Sequence, residues 1–254
     1  MASIALLTDF GTRDYYVGAM KGVILSIAPA AVIVDITHDT PPQDIREAAY
    51  TLRMCCREFP SGTVFAAVVD PGVGSGRRGL AVESGGYYFV APDNGLLSFI
   101  FEGDFRAFEL TNERYFRMPV SNTFHGRDIF APVAAHLSLG VKIEELGPPV
   151  SDPVRSVEGK PVVSENGIEG EVIHIDRFGN IVTNIAADDL PAAYTIEAGG
   201  LVIENHRKYY AEADAGEIFS ITGSAGFLEI SVRDGSAAEV LKVRRGQKVS
   251  VARP

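Results

Sequence analysis

Two hydrophobic periods alternate along the first 150 residues. Three nearly continuous apolar runs predict buried strands: SIALLTD, AVIVDIT and TVFAAVV, at positions 3–9, 31–37 and 63–69. Between them, residues 13–27 and 44–59 carry apolar side chains at helical spacing, and Pro29 and Pro60 end the two helices. Buried strands that alternate with helices predict an α/β domain, a largely parallel sheet with helices on both faces.

The remainder of this domain is predicted to add a hairpin and two helices. GLAVES (79–84) and YYFVAP (87–92) are strand-like runs around a Gly-Gly turn. Residues 95–101 predict a short helix, and residues 128–139 a longer one.

A second domain follows a change in composition. Proline, glycine and charge are mixed around residues 148–167, which predicts a linker at 152–166 between domains at 1–151 and 167–254. Short strands separated by turns come next: GEVIHID, NIVTNI, LVIEN, EIFSIT, FLEISV and KVSVA. With a helical piece at 237–241, they predict a small antiparallel β-barrel or sandwich.

Composition narrows the class of protein. The net charge of −10 argues against a generic nucleic-acid binder, which must neutralise phosphates, but not against a cationic small molecule. No apolar run is long enough to cross a bilayer, and the start reads as a strand rather than a signal peptide, so a cytoplasmic location is expected. The adjacent Cys55 and Cys56 are expected to be packing residues.

The segment VVDPGVGSGRRG (68–79) raises a question of chemistry, since Gly74 to Gly79 match G-x-G-x-x-G. A dinucleotide loop must open a helix, whereas a strand follows Gly79, so the phosphate interpretation is disfavoured. An acid at the end of a strand remains, Asp70, with Arg77 or Arg78 seven or eight residues later. Such a pair is often only structural.

Other polar groups follow predicted strands, where ligands of α/β proteins collect. Asp9 follows the first strand and is a candidate for ribose hydroxyls, whereas Asp14 is expected to cap a helix. His38 and Asp39 suggest a metal site with Asp9, but a hydrogen-bonded turn before two prolines is favoured and no metal is expected.

Three further clusters each have a plain structural alternative. His125 precedes Gly126 at a predicted helix start, which permits close approach of a ligand, whereas His136 within that helix is expected to be structural. The segment 174–184 is also explained by an ordinary hairpin turn. Residues 223–226 offer backbone N–H groups to an anion, or form a simple turn.

Together and in this order, the clusters resemble one family closely. It is the S-adenosylmethionine hydrolases (adenosine-forming), or SAM hydroxide adenosyltransferases, relatives of the fluorinating and chlorinating enzymes. The matching segments span almost the whole chain: LTDFGTRDYYVGAMKGVI, VDPGVGSGRRG, APDNGLL, FHGRDIFAP, IDRFGNIVTNI and GSAGFLEI with GSAAE. The halogenating relatives look different, with tyrosine for Asp70, Tyr-Ser for His125-Gly126 and a long insertion before YYFVAP.

The resemblance implies an α/β domain, a β-barrel domain and a homotrimer with ligand sites at subunit interfaces. It implies that Asp70, Arg77 and His125 activate water. For the substrate, it implies that Asp9 binds the ribose and that Asp176 and Ser224 bind the methionine part. Adenine would be held by Phe178, by Asn180 and by backbone atoms from Arg233 to Ala237. Gly126 and Phe227 are also implied to lie in the site. The aromatic that the family often has near residues 209–217 is replaced by Glu212.

The expected reaction is hydrolysis of S-adenosylmethionine to adenosine and methionine by in-line attack of water on C5′. No cofactor is expected, because the sulfonium already activates the leaving group. Two alternatives stay open: a binding or regulatory module without turnover, and a metal-dependent phosphohydrolase using Asp9, Asp35, Asp39 and His125.

Overall fold

The chain folds into two compact units, the first of which ends at Ser156. A computed structural model describes residues 3–156 and 159–253. Val157 and Glu158 of the predicted linker lie outside the described residues, as do Met1, Ala2 and Pro254. Residues 152–156 of that linker are hydrogen-bonded to the first unit, through Asp152, Val154 and Ser156.

The first unit is built on a six-stranded, largely parallel sheet, as predicted. Its elements are β1 (Ile4–Thr8), α1 (Tyr16–Ile27), β2 (Ile33–Thr37), α2 (Ile45–Cys55), β3 (Val64–Val68), β4 (Gly79–Ser84), β5 (Tyr87–Pro92), β6 (Arg106–Glu109) and α3 (Ala131–Ser138). The strand order is β2-β1-β3-β5-β4-β6. Strands β1, β2, β3 and β5 run parallel, and β4 is antiparallel to β5 and β6.

Both faces of this sheet are covered because successive strand side chains point to opposite sides. In β1, Ile4 and Leu6 pack into a core with α1 and α3, whereas Ala5 and Leu7 pack into a second core with α2. β2 is the exception among the predicted buried strands: it is the edge strand and is largely exposed or half-buried.

Helix boundaries differ from the predicted ones for local reasons. α1 begins at Tyr16, so its N-cap residue is Tyr15, which makes no side-chain hydrogen bond to the helix. The expected cap at Asp14 is therefore wrong. α2 starts after Asp44, whose carboxylate accepts the N–H of Glu47 at 3.0 Å.

The predicted helix at 95–101 is also wrong. Asn94 Oδ1 accepts the N–H of Leu96, and Ser98 Oγ donates to the carbonyl of Gly95. These local bonds compete with a helical ladder, and only a three-residue 3₁₀ turn forms at Ile100–Glu102.

The second unit is an antiparallel, nearly closed barrel. Its elements are β7 (Val162–Ser164), β8 (Gly167–Ile175), β9 (Ile181–Ala186), β10 (Thr195–Ala198), β11 (Leu201–Ile203), β12 (Ile218–Thr222), β13 (Phe227–Val232), α4 (Ala237–Leu241) and β14 (Lys248–Ala252). The order is β11-β10-β14-β8-β9-β13-β12, with β7 on β8. After β11 the chain returns to β12: Ser220 N–H donates to Asn205 O, and Arg207 N–H to Ser220 O, at 2.8 and 2.9 Å.

The alternation of buried residues in this barrel produces a single main core, which includes Ile168, Val172, Ile196 and Val249. Among the described residues, every pairing between two named strands of this unit is antiparallel, whereas the contact of His206 with Ser220 of β12 is a parallel bridge. No helix within residues 3–156 or 159–253 has the length and apolar character needed to traverse a bilayer.

Candidate active site

Two acidic residues lie at one edge of the first unit's sheet. β1 and β3 are parallel neighbours, with Thr8 opposite Val68, so Asp9 and Asp70 both follow their carboxyl ends. This is the edge at which ligands bind in open α/β sheets.

Arg77 joins Asp70 to His125. Its Nε donates to Asp70 Oδ1 and Oδ2 at 2.9 and 3.1 Å, and its Nη2 also contacts Oδ2. The same Nη2 lies 2.8 Å from Nδ1 of His125. The side chains of Asp70 and Arg77 are 5% and 12% exposed, so the pair is shielded from solvent screening. The structure thus brings together three residues that are up to 55 positions apart in the chain.

The protonation of His125 follows from these contacts. A guanidinium only donates hydrogen bonds, so Nδ1 must accept and the proton of the neutral ring sits on Nε2. Burial, followed by the positive charge of Arg77, lowers the pKa of His125 below its ordinary value. A neutral imidazole with Nε2–H is therefore the form that fits this site.

The adjacent arginine has a different environment. Arg78 donates through Nε to Asp93 at 2.8 Å and through Nη1 to Asp152 at 2.9 Å. Its hydrogen bond to Asp152 raises the pKa of Arg78 against a smaller lowering by burial. Of the two arginines, Arg77 is the one that contacts Asp70.

The loop between Asp70 and Arg77 is held against the segment before His125. Gly74 has a φ of +76°, and a Cβ there would overlap the carbonyl oxygen of Asn122. β4 begins directly at Gly79, with no helix, so the loop lacks the helix N-terminus of a dinucleotide site.

His125 is followed by a short π-helical turn, Gly126–Phe130, which leads into α3. π-turns are rare and occur often at functional sites. Gly126 is buried, and a Cβ there would meet the rings of Phe10 and Phe124 at 3.2 and 3.3 Å. Those rings also contact each other edge to face, which places the residue after Asp9 beside the residue before His125. His136 lies in α3 against the ring of Tyr115.

Asp9 has a partner that the sequence pattern did not reveal. The backbone N–H of Gln43 donates to Asp9 Oδ2 at 2.8 Å. Gln43 has a φ of +64°, a conformation that is unfavourable for a side-chain-bearing residue. Nothing in the local sequence signals it, because Gln is not a residue typical of that region.

The predicted turn at 37–40 is present, with Asp39 N–H donating to Thr37 Oγ1 at 3.0 Å. His38 is buried, and its Nδ1 lies 2.8 Å from Thr8 Oγ1. Asp35 pairs with Lys21 Nζ at 2.6 Å. Within the described ranges, no group of three or more His, Cys, Asp or Glu side chains is arranged to hold a metal ion.

In the second unit, Asp176 organises the turn between β8 and β9. Its Oδ1 accepts the N–H groups of Phe178 and Asn180, and its Oδ2 accepts Asn180 Nδ2, all at 2.9 Å. The side chain of Phe178 is left 76% exposed, an unusual position for a phenyl ring, while Asn180 is buried.

The 176–180 turn packs against the segment before α4. A Cβ on Gly179 would overlap the side chain of Ser236, and Ala238 N–H donates to the carbonyl of Gly179 at 3.0 Å. The structure therefore places the turn that carries Phe178 and Asn180 against Ser236, which lies within the predicted segment from Arg233 to Ala237.

Ser224 is exposed in the β12–β13 turn, which closes through a hydrogen bond from Gly223 N–H to Phe227 O at 2.9 Å. Near it, Glu229 is a buried carboxylate that the sequence did not single out. Tyr210 donates to Glu229 Oε1 at 2.5 Å, and burial followed by this bond raises the pKa of Tyr210. Within the 209–217 segment, Tyr210 is thus the residue that binds Glu229, whereas the carboxylate of Glu212 accepts the N–H of Lys208.

Comparisons with known proteins identify the family of this chain. The family models for the N-terminal and C-terminal domains of SAM hydroxide adenosyltransferase match residues 4–147 and 170–250. The (R)-S-adenosyl-L-methionine hydrolase of Thermus thermophilus is 42% identical over 98% of this chain and 99% of its own. A fluorinase of Nocardia brasiliensis is 30% identical over 98% of this chain and 96% of its own.

The solved structure of a conserved protein from Thermotoga maritima is also similar. It superposes with a TM-score of 0.92 at 39% identity and covers 98% of this chain and 100% of its own. Two domain models that together match most of the chain, and relatives of matching length, establish the assignment. The chain belongs to the SAM hydroxide adenosyltransferase family.

Proposed function

We propose that this protein is an enzyme that hydrolyses S-adenosyl-L-methionine to adenosine and L-methionine. Relatives that are 36–42% identical over nearly the whole chain carry the name (R)-S-adenosyl-L-methionine hydrolase. The observation that carries the proposal is the bridge made by Arg77 between Asp70 and His125.

The substrate needs little chemical activation. The sulfonium makes C5′ electrophilic, and methionine leaves as a neutral thioether. The oxygen of water forms a bond to C5′ while the C5′–S bond breaks, and its electron pair goes to sulfur. No acid is needed for the leaving group, so the enzyme must chiefly place and polarise one water molecule in line.

The three side chains have distinct proposed roles. Neutral His125 donates from Nε2 to the oxygen of that water, because its Nδ1 accepts from Arg77. Arg77 stabilises the negative charge that develops on the oxygen. Asp70 accepts the proton, since each carboxylate oxygen has lone pairs beyond those that bind Arg77.

Both units supply proposed substrate contacts, at the subunit interfaces of the proposed trimer. Asp9 receives the ribose hydroxyls, since only its Oδ2 has a hydrogen-bond partner among the described residues. Asp176 and Ser224 hold the methionine part, and Phe178 and Asn180 hold adenine. Gly126, Phe227, Arg233 and Ala237 complete the set.

Water is proposed as the nucleophile, rather than halide. The fluorinase relatives are 30–34% identical, below the hydrolases. Asp70 and His125 occupy the positions where the halogenating enzymes are expected to have tyrosine. β4 and β5 are joined by only Gly85 and Gly86, without the expected insertion.

A homotrimer, a cytoplasmic location and the absence of a cofactor remain parts of the proposal. The family resemblance supports the trimer. The chemistry supports a reaction without a cofactor, because the sulfonium supplies the activation that a cofactor would otherwise provide.

The test is a product assay with purified protein and S-adenosylmethionine. Adenosine and methionine should form in equal amounts and far in excess of the enzyme. Asp70→Ala and His125→Ala should each lower turnover by about a hundredfold or more, with substrate binding largely retained.

Arg78→Lys is the matched control, because Arg78 contacts Asp93 and Asp152 instead. It should retain turnover, whereas unchanged turnover in both the Asp70 and His125 variants would refute the assignment. Binding with at most one product per protein would instead favour the non-catalytic module.

A further inference from the structure

A chain of buried polar contacts lies behind Asp9. His38 is 5% exposed and Thr8 is fully buried, although they are 30 residues apart in the chain. His38 Nδ1 lies 2.8 Å from Thr8 Oγ1, and Thr8 Oγ1 also accepts the N–H of Phe10 at 3.2 Å. Phe10 and Thr8 are the two neighbours of Asp9.

Asp35 determines which atom donates the hydrogen bond between Thr8 and His38. Its Oδ1 lies 3.1 Å from Nε2 of His38, at ion-pair distance although without hydrogen-bond alignment. A carboxylate at that position favours a proton on Nε2, which leaves Nδ1 as an acceptor. The Thr8 hydroxyl therefore donates to His38 and accepts from Phe10.

Lys21 of α1 anchors the far end. It binds Oδ2 of Asp35 at 2.6 Å. Burial alone would raise the pKa of Asp35, but the hydrogen bond from Lys21 and the nearby ring of His38 together outweigh it and lower that pKa, so the carboxylate stays ionised.

The backbone of His38 makes a further contact with the same loop. Its carbonyl accepts the N–H of Gly11 at 2.7 Å. His38 thus holds the chain before Asp9 through Thr8 and after it through Gly11. Gln43, five residues beyond His38, then binds the Asp9 carboxylate directly.

We propose that His38 is a positioning residue for Asp9, and that its ring fixes the loop from Thr8 to Gly11 so that the Asp9 carboxylate meets the ribose. This rests on the proposed function, in which Asp9 accepts the ribose hydroxyls. The ring of His38 is buried behind the loop, so its role is exerted through Asp9 and not on the substrate.

The test compares three variants by steady-state kinetics. His38→Leu removes the acceptor, and Thr8→Val removes the hydroxyl at nearly constant volume. Each should raise KM for S-adenosylmethionine about tenfold with kcat changed less than about threefold, because a lost buried hydrogen bond loosens the binding carboxylate. His38→Asn retains an acceptor and should recover most of the affinity.

A double-mutant cycle separates positioning from a purely structural role. In an Asp9→Asn background, His38→Leu should raise KM little further, since the group that it positions is already lost. Equal effects of His38→Leu in both backgrounds, or an unchanged KM in His38→Leu and Thr8→Val, would overturn the proposal.

His136→Ala provides the matched control. His136 is also a partly buried histidine, but its ring packs on Tyr115, and among the described residues no hydrogen bond joins its side chain to the loop from Thr8 to Gly11. It should leave KM unchanged, and melting curves verify that all variants are folded. Failure of the proposed function would appear separately, as a wild-type protein that forms no adenosine.

Discussion

At the scale of single residues, Arg77 constrains the chemistry most, because its guanidinium can only donate. It therefore fixes the proton of His125 on Nε2 while it holds Asp70. Lysine would offer a point charge in place of this planar fork. Arg78, next in the chain, binds two other carboxylates and supports the fold.

The pH dependence of turnover should report His125. Burial and the nearby Arg77 lower its pKa, so it is neutral at pH 7, and protonation in acid removes the acceptor for Arg77. We expect kcat/KM to be level above about pH 6.5 and to fall at lower pH, with a midpoint below the ordinary histidine value of about 6.5.

The stability of the folded protein should change with pH in the same direction as kcat/KM. The folded protein binds fewer protons at His125 than the unfolded chain, so this residue makes folding less favourable as pH falls below about 6.5. Profiles of kcat/KM and of the free energy of unfolding against pH, for wild type and His125→Asn, test the two claims. The variant should lose the fall in kcat/KM at low pH and the part of the destabilisation that comes from His125. A midpoint above 6.5 would contradict the neutral-ring assignment.

At the scale of elements, the site depends on how the loop from Asp70 to Arg77 meets the segment before the π-turn. Gly74 makes this approach possible, since it has a positive φ and lies against the backbone of Asn122. His125 follows only three residues after Asn122, so a shift at Gly74 moves Arg77 relative to His125.

Gly74→Ala should therefore lower turnover about tenfold or more and reduce the melting temperature, because an added Cβ is strained at this φ and overlaps the carbonyl oxygen of Asn122. Gly76→Ala is the control in the same loop, since it has open space and no positive φ. It should change turnover less than about twofold. Similar losses in both variants would mean that general loop flexibility matters instead.

The sequence predicted the elements better than their contacts. The buried strands and the β4–β5 hairpin follow from apolar runs, which report burial locally. The 95–101 helix failed because Asn94 and Ser98 bind the backbone there. The residue pattern alone could not decide whether Arg77 or Arg78 contacts Asp70. The two are adjacent residues of the same type, and only the orientation of their side chains distinguishes them.

The candidate site was predicted through motifs, and the contacts behind it were not. The positions of Asp70, Arg77 and His125 came from the resemblance, and the structure places them in contact. His38 looked like part of a local turn because its partner Thr8 is 30 residues away. The Gln43 contact depends on a backbone angle that no residue type signalled.

At the scale of the whole molecule, net charge favours the encounter with substrate. The chain carries a formal charge of −10, whereas S-adenosylmethionine has two positive groups and one negative group. Opposite net charges attract over distances that salt shortens, from about 30 Å at 0.01 M to about 8 Å at 0.15 M.

We expect kcat/KM to fall about two- to fivefold over that range of ionic strength, because screening weakens attraction of the cation. Inhibition by adenosine, which is neutral, provides the control and should change little. Initial-rate assays at the same pH and different salt concentrations measure kcat/KM and the inhibition by adenosine. An equal response of both ligands would indicate a salt effect on the protein itself.

The paired arginines impose a limit on how this segment can diverge. Seven positions separate Asp70 from Arg77, and the next residue is already committed to Asp93 and Asp152. Losing one amino acid there would bring Arg78 to the seventh position after Asp70 and leave no arginine at the eighth, and gaining one would bring Arg77 to the eighth and leave no arginine at the seventh. Substitutions at the exposed positions of the loop are compatible with these contacts, whereas a change in its length is not.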